Sequence, residues 1–104
     1  QRTTYHYCVV RKDLPPGVIA AQLVHAAGES VIGWVPPETH AVVLAAKDEA
    51  HLLKIERKLK RRNILHTAIR EPDEPWNGAL MAIGISPLTN RKVLRPITGK
   101  LKLL

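Results

Sequence analysis

The apolar positions of the chain predict four β-strands. Tyr5–Arg11 is rich in β-forming residues, and residues 41–46 form a continuous apolar run typical of a strand covered on both faces. Residues 80–86 give a strong strand pattern and His66–Glu71 a weaker one. A short apolar segment, residues 101–104, follows near the end of the sequence. Strand-forming sequence is therefore spread along the whole chain.

Two longer segments have the periodicity of helices. The first spans about residues 18–32, follows a Pro-Pro-Gly break, and has apolar residues at helical spacing, namely Ile19, Leu23 and Ala26. The second begins after Asp48, a residue suited to cap a helix N-terminus, and ends near Asn63. Its apolar stripe consists of Leu52, Ile55 and Leu59. A further short helix is predicted at residues 90–95.

This alternation of strands and helices predicts the α/β class. With 104 residues there is room for one domain and one core, so residues 1–104 are expected to form a single domain. Helices between strands imply crossover connections, which favour a mixed, mainly parallel sheet of about four strands in a three-layer α/β/α arrangement. The third and fourth strands have no helix between them, so that pair is expected to be antiparallel.

Composition and charge indicate which class of partner the protein binds and in which compartment it is found. The net charge of +7 and a pI near 10.0 favour a polyanion, nucleic acid ahead of a membrane surface, over a basic protein without such a partner. The single cysteine, Cys8, excludes an internal disulfide and is expected to be a buried, inert thiol. No apolar run reaches the roughly 20 residues of a membrane span, and no signal-peptide pattern is visible. The expected location is the cytoplasm.

A polar stripe on the first helix marks candidate chemistry. Val18, Gln22, His25 and Glu29 fall on one face of a helix that is otherwise almost wholly apolar. Such a stripe either lines a polar cleft, which we favour, or is the solvent face. His25 is the residue suited to general-base chemistry near neutral pH. Asp13 follows the first strand and is either a cleft residue or a turn residue.

Basic residues form two clusters. The second helix carries Lys54, Arg57, Lys58, Lys60, Arg61 and Arg62, and the last nineteen residues carry Arg91, Lys92, Arg95, Lys100 and Lys102 without any acidic residue. These clusters favour contacts with nucleic-acid phosphates, although a helix with many charges is also typical of a solvated face. No aromatic pair is spaced like a base-stacking platform. The five histidines are scattered and no Gly-rich phosphate loop is present, so no metal and no cofactor are expected.

Three motifs resemble the type II peptidyl-tRNA hydrolase family. Residues 17–26 read Gly-Val-Ile-Ala-Ala-Gln-Leu-Val-His-Ala, similar to the family's Gly-Lys-Ile/Val-Ala-Ala-Gln-x-x-His-Ala. Residues 10–14, Val-Arg-Lys-Asp-Leu, resemble the end of its first strand, and residues 98–104, Thr-Gly-Lys-Leu-Lys-Leu-Leu, its closing motif. The resemblance implies a mixed four-stranded sheet, often in a homodimer. It also implies metal-independent hydrolysis of the ester between a peptide and the 3′ end of tRNA.

The resemblance also assigns site residues, with two departures. The family's helix-start Lys falls at Val18, and its Asp-Ala-Gly-x-Thr loop falls at residues 71–75, where the Asp becomes Glu71 and the Thr becomes Pro75. The catalytic candidates are Gln22, His25, Glu71, Asp73, Asp13 and Thr98. The candidates for tRNA contact are Lys12, Lys54, Arg57, Lys58, Arg61, Arg62, Arg91, Lys92 and Lys100. Three hypotheses stay open: a hydrolase, a catalytically silent RNA-binding domain, and a protein-interaction domain.

Overall fold

The computed structural model describes residues 3–104, in which five strands, three α-helices and one 3₁₀ turn follow one another. In chain order these are β1 (Tyr5–Arg11), α1 (Pro16–Glu29), β2 (His40–Ala46), α2 (Glu49–Arg61), β3 (His66–Glu71), β4 (Ala79–Leu88), the 3₁₀ turn (Arg91–Leu94), α3 (Arg95–Thr98) and β5 (Lys102–Leu103). Every element that the apolar pattern predicts is present, and the bounds of β1 and β3 are as predicted. The closing apolar segment adds a fifth strand to the expected four.

The five strands form one mixed sheet in the order β3-β4-β1-β2-β5. Only β1 and β2 pair in parallel, whereas the β1–β4, β3–β4 and β2–β5 pairs are antiparallel. The α/β class, the mixed sheet and the antiparallel β3–β4 pair are confirmed, but the expectation of mainly parallel pairing is wrong. The two helical crossovers do keep β1, β2 and β3 in one direction. However, β4 lies between β1 and β3 and runs in the opposite direction. Strand β3 therefore has no parallel neighbour, and β1 with β2 is the one parallel pair of the described strands.

Helices cover both faces of the sheet, as the three-layer prediction requires. Successive side chains on β1 point to opposite faces of the sheet. Cys8 and Val10 pack with Ala26 of α1, whereas Val9 packs in a larger cluster with residues of α2 and α3. Burial raises the pKa of Cys8 to about 11, which keeps the thiol protonated at neutral pH. The predicted burial of the thiol is confirmed, and the raised pKa agrees with the expectation that it is unreactive.

Side-chain hydrogen bonds occur at the start of α2 and at the end of α1. The carboxylate of Asp48 accepts the backbone N–H of His51 at 2.9 Å, so its predicted role as the α2 N-cap is confirmed. Helix α1 ends at Glu29, three residues before the predicted end. The hydroxyl of the next residue, Ser30, donates to the carbonyl of Ala26 at 2.6 Å within the last turn. In the described chain, no helix combines the length and hydropathy that a bilayer span requires.

Candidate active site

A hydrogen bond joins helix α1 to the end of strand β3. Gln22, whose side chain is almost fully buried at 4% exposure, donates from Nε2 to Oε1 of Glu71 at 3.2 Å. The other carboxylate oxygen of Glu71 accepts the backbone N–H of Asp73 at 3.3 Å. The alternation of side chains along β3 explains this contact. Ile69 packs against α1, and Glu71, two residues further along the strand, lies on the same face of the sheet. Two residues 49 positions apart thus share one polar contact.

The Gln22–Glu71 contact lies in a cavity between α1 and β3. This cavity, which we call the α1–β3 cavity, has a volume of about 390 Å³. Its lining includes Gln22, His25 and Glu29 from α1, and Glu71 and Pro72 from the end of β3. His25 Nδ1 lies 3.2 Å from Oε2 of Glu29, and both side chains are more than half exposed at 58% and 56%. The polar stripe therefore runs from a buried amide to an exposed imidazole.

Both interpretations of the polar stripe describe part of it. Gln22 is buried in the cavity, as a cleft residue would be, whereas His25 and Glu29 lie at the solvent-exposed rim. Val18, the first position of the stripe, does not line the cavity. The structure thus brings together Gln22, His25 and Glu71 among the six catalytic candidates.

The α1–β3 cavity offers a carboxylate, an amide and an imidazole around solvent space. Glu71 can accept a proton from water, and Gln22 and His25 can donate hydrogen bonds. Arg70, the one Lys or Arg that lines the cavity among the described residues, binds Glu56 through two N–H groups at 3.2 and 2.9 Å. Within residues 3–104, no three His, Cys, Asp or Glu side chains are grouped to hold a metal ion. The available chemistry is acid–base catalysis supported by hydrogen-bond donors.

Asp13 is bound to a residue that the motif analysis did not select. Arg11 donates to both carboxylate oxygens of Asp13, at 2.9 and 3.0 Å, and to the carbonyl of Leu80 at 3.2 Å. The hydrogen bond from Arg11 lowers the pKa of Asp13, so this carboxylate is ionised at neutral pH. The Arg11 guanidinium also lies 5.8 Å from the ring centroid of Trp76, in the loop after β3. The sequence feature that could have revealed this pair is an arginine in an apolar strand, two residues before an aspartate.

The other two catalytic candidates lie outside the α1–β3 cavity. The side chain of Asp73 is exposed, and its carbonyl accepts the N–H groups of Trp76 and Asn77 at 2.9 and 3.1 Å. Thr98 is buried in α3, on the opposite face of the sheet from α1, where its hydroxyl donates to the carbonyl of Leu94 at 3.2 Å. Their catalytic roles stay predictions.

The basic residues proposed for tRNA contact are exposed. The α2 cluster projects into solvent on the face of the sheet opposite α1, and it comprises Lys54, Arg57, Lys58, Lys60, Arg61 and Arg62. Arg91 and Lys92 in the 3₁₀ turn and Lys100 after α3 are exposed as well. Lys12 is exposed, and its backbone N–H donates to the carbonyl of Ala46 at 2.9 Å. It does not line the α1–β3 cavity, so nothing in that lining replaces the amine missing at Val18.

Comparisons with known proteins identify a family and a shared fold. The family model described as Peptidyl-tRNA hydrolase PTH2 matches residues 4–104. No curated protein matches the chain significantly. Among solved structures, the chain is similar to Atu0240, a protein of unknown function from Agrobacterium tumefaciens strain C58. The TM-score is 0.62 at 18% identity, over 100% of this chain and 99% of the other. At that identity the likeness concerns the fold alone.

Proposed function

The chain belongs to the peptidyl-tRNA hydrolase PTH2 family, and from that premise we propose that it hydrolyses the ester between tRNA and a peptide or N-blocked amino acid. The observation that supports this proposal is the contact of the buried Gln22 with Glu71 in an open cavity. A carboxylate held by a buried amide, beside solvent space and an imidazole, suits activation of a water molecule.

In the proposed mechanism Glu71 is the general base. Glu71 accepts a proton from a water molecule as the water oxygen attacks the ester carbonyl carbon. Hydrogen bonds from Gln22 and His25 stabilise the resulting oxyanion. The bond between the carbonyl carbon and the ribose oxygen then breaks, and the proton passes from Glu71 to that oxygen. The products are the free peptide carboxylic acid, which ionises at neutral pH, and a tRNA with a free 3′ end, and no metal takes part.

The base assignment is tested by cleavage of N-acetyl-aminoacyl-tRNA with purified protein. We expect Glu71→Gln to lower turnover by roughly 10²- to 10⁴-fold, because the amide cannot accept the proton. The exposed Glu74→Gln in the same loop is the matched control and should leave turnover unchanged. A loss confined to Asp73→Asn would instead assign the base to Asp73. Full turnover in the Glu71→Gln, Asp73→Asn double variant would exclude the mechanism.

A second candidate function is RNA binding without catalysis. Two residues favour it: Val18 cannot supply the amine of the family motif, and Pro75 has neither a hydroxyl nor an N–H. This candidate predicts tRNA binding that weakens with salt, with no release of the acyl group. Measurable cleavage by the pure protein, abolished by Glu71→Gln, would rule it out.

A homodimer is part of the same proposal. It rests on the family resemblance, and sedimentation equilibrium at micromolar concentration measures it directly. A mass of about twice the 11.6 kDa of the chain would support the dimer, and a mass equal to that of the chain would contradict it.

A further inference from the structure

A second and larger cavity lies on the face of the sheet that α2 and α3 cover. It has a volume of about 640 Å³ and is lined by β1, by β2 and by the segment from Thr89 to Gly99. Tyr7 and Leu44 in its wall belong to the same hydrophobic cluster as the α2 core residues. We call it the tyrosine cavity. It is separated by the sheet from the α1–β3 cavity, and no residue lines both.

Aromatic rings form part of the tyrosine cavity. Tyr5 and Tyr7, two residues apart on β1, point to the same face with ring centroids 6.4 Å apart. Tyr5 also stacks on His40 of the neighbouring strand, at 5.4 Å and an interplanar angle of 25°. Linear spacing had suggested that no stacking platform exists. The platform arises because strand pairing places His40 directly beside Tyr5.

The charged side chains that line the tyrosine cavity are positive. Within residues 3–104, its lining includes Arg91, Lys92 and Arg95 and contains no carboxylate. The Arg91 guanidinium lies 4.4 Å from the ring centroid of Tyr5, within the range of a cation–π contact. Among the described residues, none of the three cations has an ion-pair partner. Uncompensated cations around a concave surface favour a phosphate group.

From these observations we propose that the tyrosine cavity binds a nucleotide. The base stacks on the Arg91 guanidinium, which lies over the Tyr5 ring, and Lys92 and Arg95 hold the phosphate. Stacking on aromatic rings and arginine planes, combined with phosphate contacts, is how unpaired nucleotides are bound in general. The shared ligand chemistry is a nucleoside monophosphate, either free or as one unit of a nucleic-acid strand. The strand source rests on the proposed function, whereas the cavity itself does not.

Backbone amide chemical shifts in an NMR titration with adenosine 5′-monophosphate test the site. We expect shifts at Tyr5, Tyr7 and residues 89–92, and none at Gln22 or Glu71. Adenosine and inorganic phosphate, titrated separately, should each bind more weakly than the intact nucleotide, because each offers half of the contacts. Inorganic phosphate that binds as tightly as the nucleotide would overturn base recognition and with it the proposal.

Single variants separate this site from general attraction to the basic surface. Tyr5→Leu should weaken nucleotide binding about fivefold or more, because the Arg91 guanidinium loses the ring over which it lies and with it the base-stacking position. Lys92→Gln, at an exposed position that leaves the core intact, should weaken it through lost charge. Lys47→Gln removes the same charge at an exposed position outside both basic clusters and is the control. Equal losses in Lys92→Gln and Lys47→Gln would contradict the proposal.

The affinity of a short oligoadenylate, compared with that of the mononucleotide, distinguishes a nucleic-acid strand from a free nucleotide as the ligand. An oligonucleotide that binds at the same residues at least tenfold more tightly than the mononucleotide supports the strand source. Equal or weaker binding supports a free nucleotide. Shifts confined to α2 with either ligand would overturn the site. Ester cleavage is measured independently, so loss of one proposal does not decide the other.

Discussion

Gly84 lies in β4 directly beneath the last turn of α1. A methyl group at this position would overlap the carbonyl oxygen of Ala26 and the side chain of Ser30. Because backbone atoms cannot yield as a flexible side chain can, α1 must move away from the sheet to accommodate it. We expect Gly84→Ala to lower the free energy of unfolding by about 1–3 kcal/mol in urea denaturation. Gly28→Ala is the control, since nothing lies within 4 Å of its added methyl. A helical Gly→Ala change there should be neutral or stabilising, and equal losses would refute the packing argument.

His6 is bound within the same part of the α1 interface. Its Nε2 lies 2.7 Å from the hydroxyl oxygen of Ser30, and burial lowers the pKa of His6 below the ordinary value of 6.5. The unfolded chain therefore binds a proton at a higher pH than the folded chain does. This contribution to stability is fully present above about pH 6.5 and is lost as the pH falls below that value.

The His6 effect can be measured by unfolding in urea at several pH values from about 7.5 to 5. We expect the free energy of unfolding to fall more steeply with decreasing pH in the native protein than in His6→Gln, whose amide does not titrate. The four other histidines are common to both proteins and cancel in the comparison. Parallel pH profiles would show that His6 is not coupled to folding.

At the scale of elements, an ion pair joins α2 to the edge strand β3. Glu56 is 4% exposed and accepts two hydrogen bonds from Arg70, while Lys60 Nζ is 3.7 Å away. We expect Arg70→Leu to destabilise the protein by about 1–3 kcal/mol, because the buried carboxylate loses its strongest partner. Lys60→Ala, at a 66% exposed side chain, should cost less than about 0.5 kcal/mol.

A double-mutant cycle identifies the cause of the Arg70 effect. If the unpaired carboxylate is responsible, Glu56→Gln, Arg70→Leu should recover part of the stability that Arg70→Leu loses. A double variant with the summed loss of both single variants would mean that the two side chains act separately. Thermal or urea unfolding of the four proteins measures the coupling.

Local pattern predicts the elements here because each one buries a face that its own sequence reveals. Tyr5–Arg11 and His66–Glu71 were predicted with their observed bounds, and Asp48 was predicted as a helix cap. The neighbour of each strand was not predictable in this way. Crossover helices set the direction of β3, but the insertion of β4 between β1 and β3 depends on tertiary packing.

The candidate site was predictable in part, for the same reason. Helical periodicity placed Gln22 and His25 on one stripe, but only the family resemblance joined Glu71 to them across 49 residues. Arg11 and Asp13 are close in sequence and form a bidentate pair. However, Arg11 also contacts Trp76 and Leu80, which belong to distant segments that the local pattern does not reveal. Periodicity also gave no indication that Thr98 would lie on the other face of the sheet.

At the scale of the whole molecule, the sheet separates the basic clusters from the candidate active site. The basic clusters belong to elements on the α2 and α3 face, and the α1–β3 cavity opens on the α1 side. Strand β3 is an edge strand that contacts α1 through Gln22 and Glu71 and α2 through Arg70 and Glu56. A tRNA whose backbone lies on α2 can therefore reach the cavity around the β3 edge without crossing the sheet.

This arrangement predicts that α2 supplies phosphate contacts and that an exposed cation outside both basic clusters does not. Each lost phosphate contact reduces the steepness of the salt dependence of duplex binding by about 0.9 in a plot of log affinity against log salt. We therefore expect Arg61→Glu to weaken tRNA binding and to flatten that slope by about one. Lys47→Glu changes the net charge equally at an exposed position outside both clusters, and it should keep the native slope. Fluorescence anisotropy of labelled tRNA from about 50 to 200 mM salt measures both variants. Identical slopes in the two variants would mean that tRNA responds to net charge alone and that α2 is no defined binding surface.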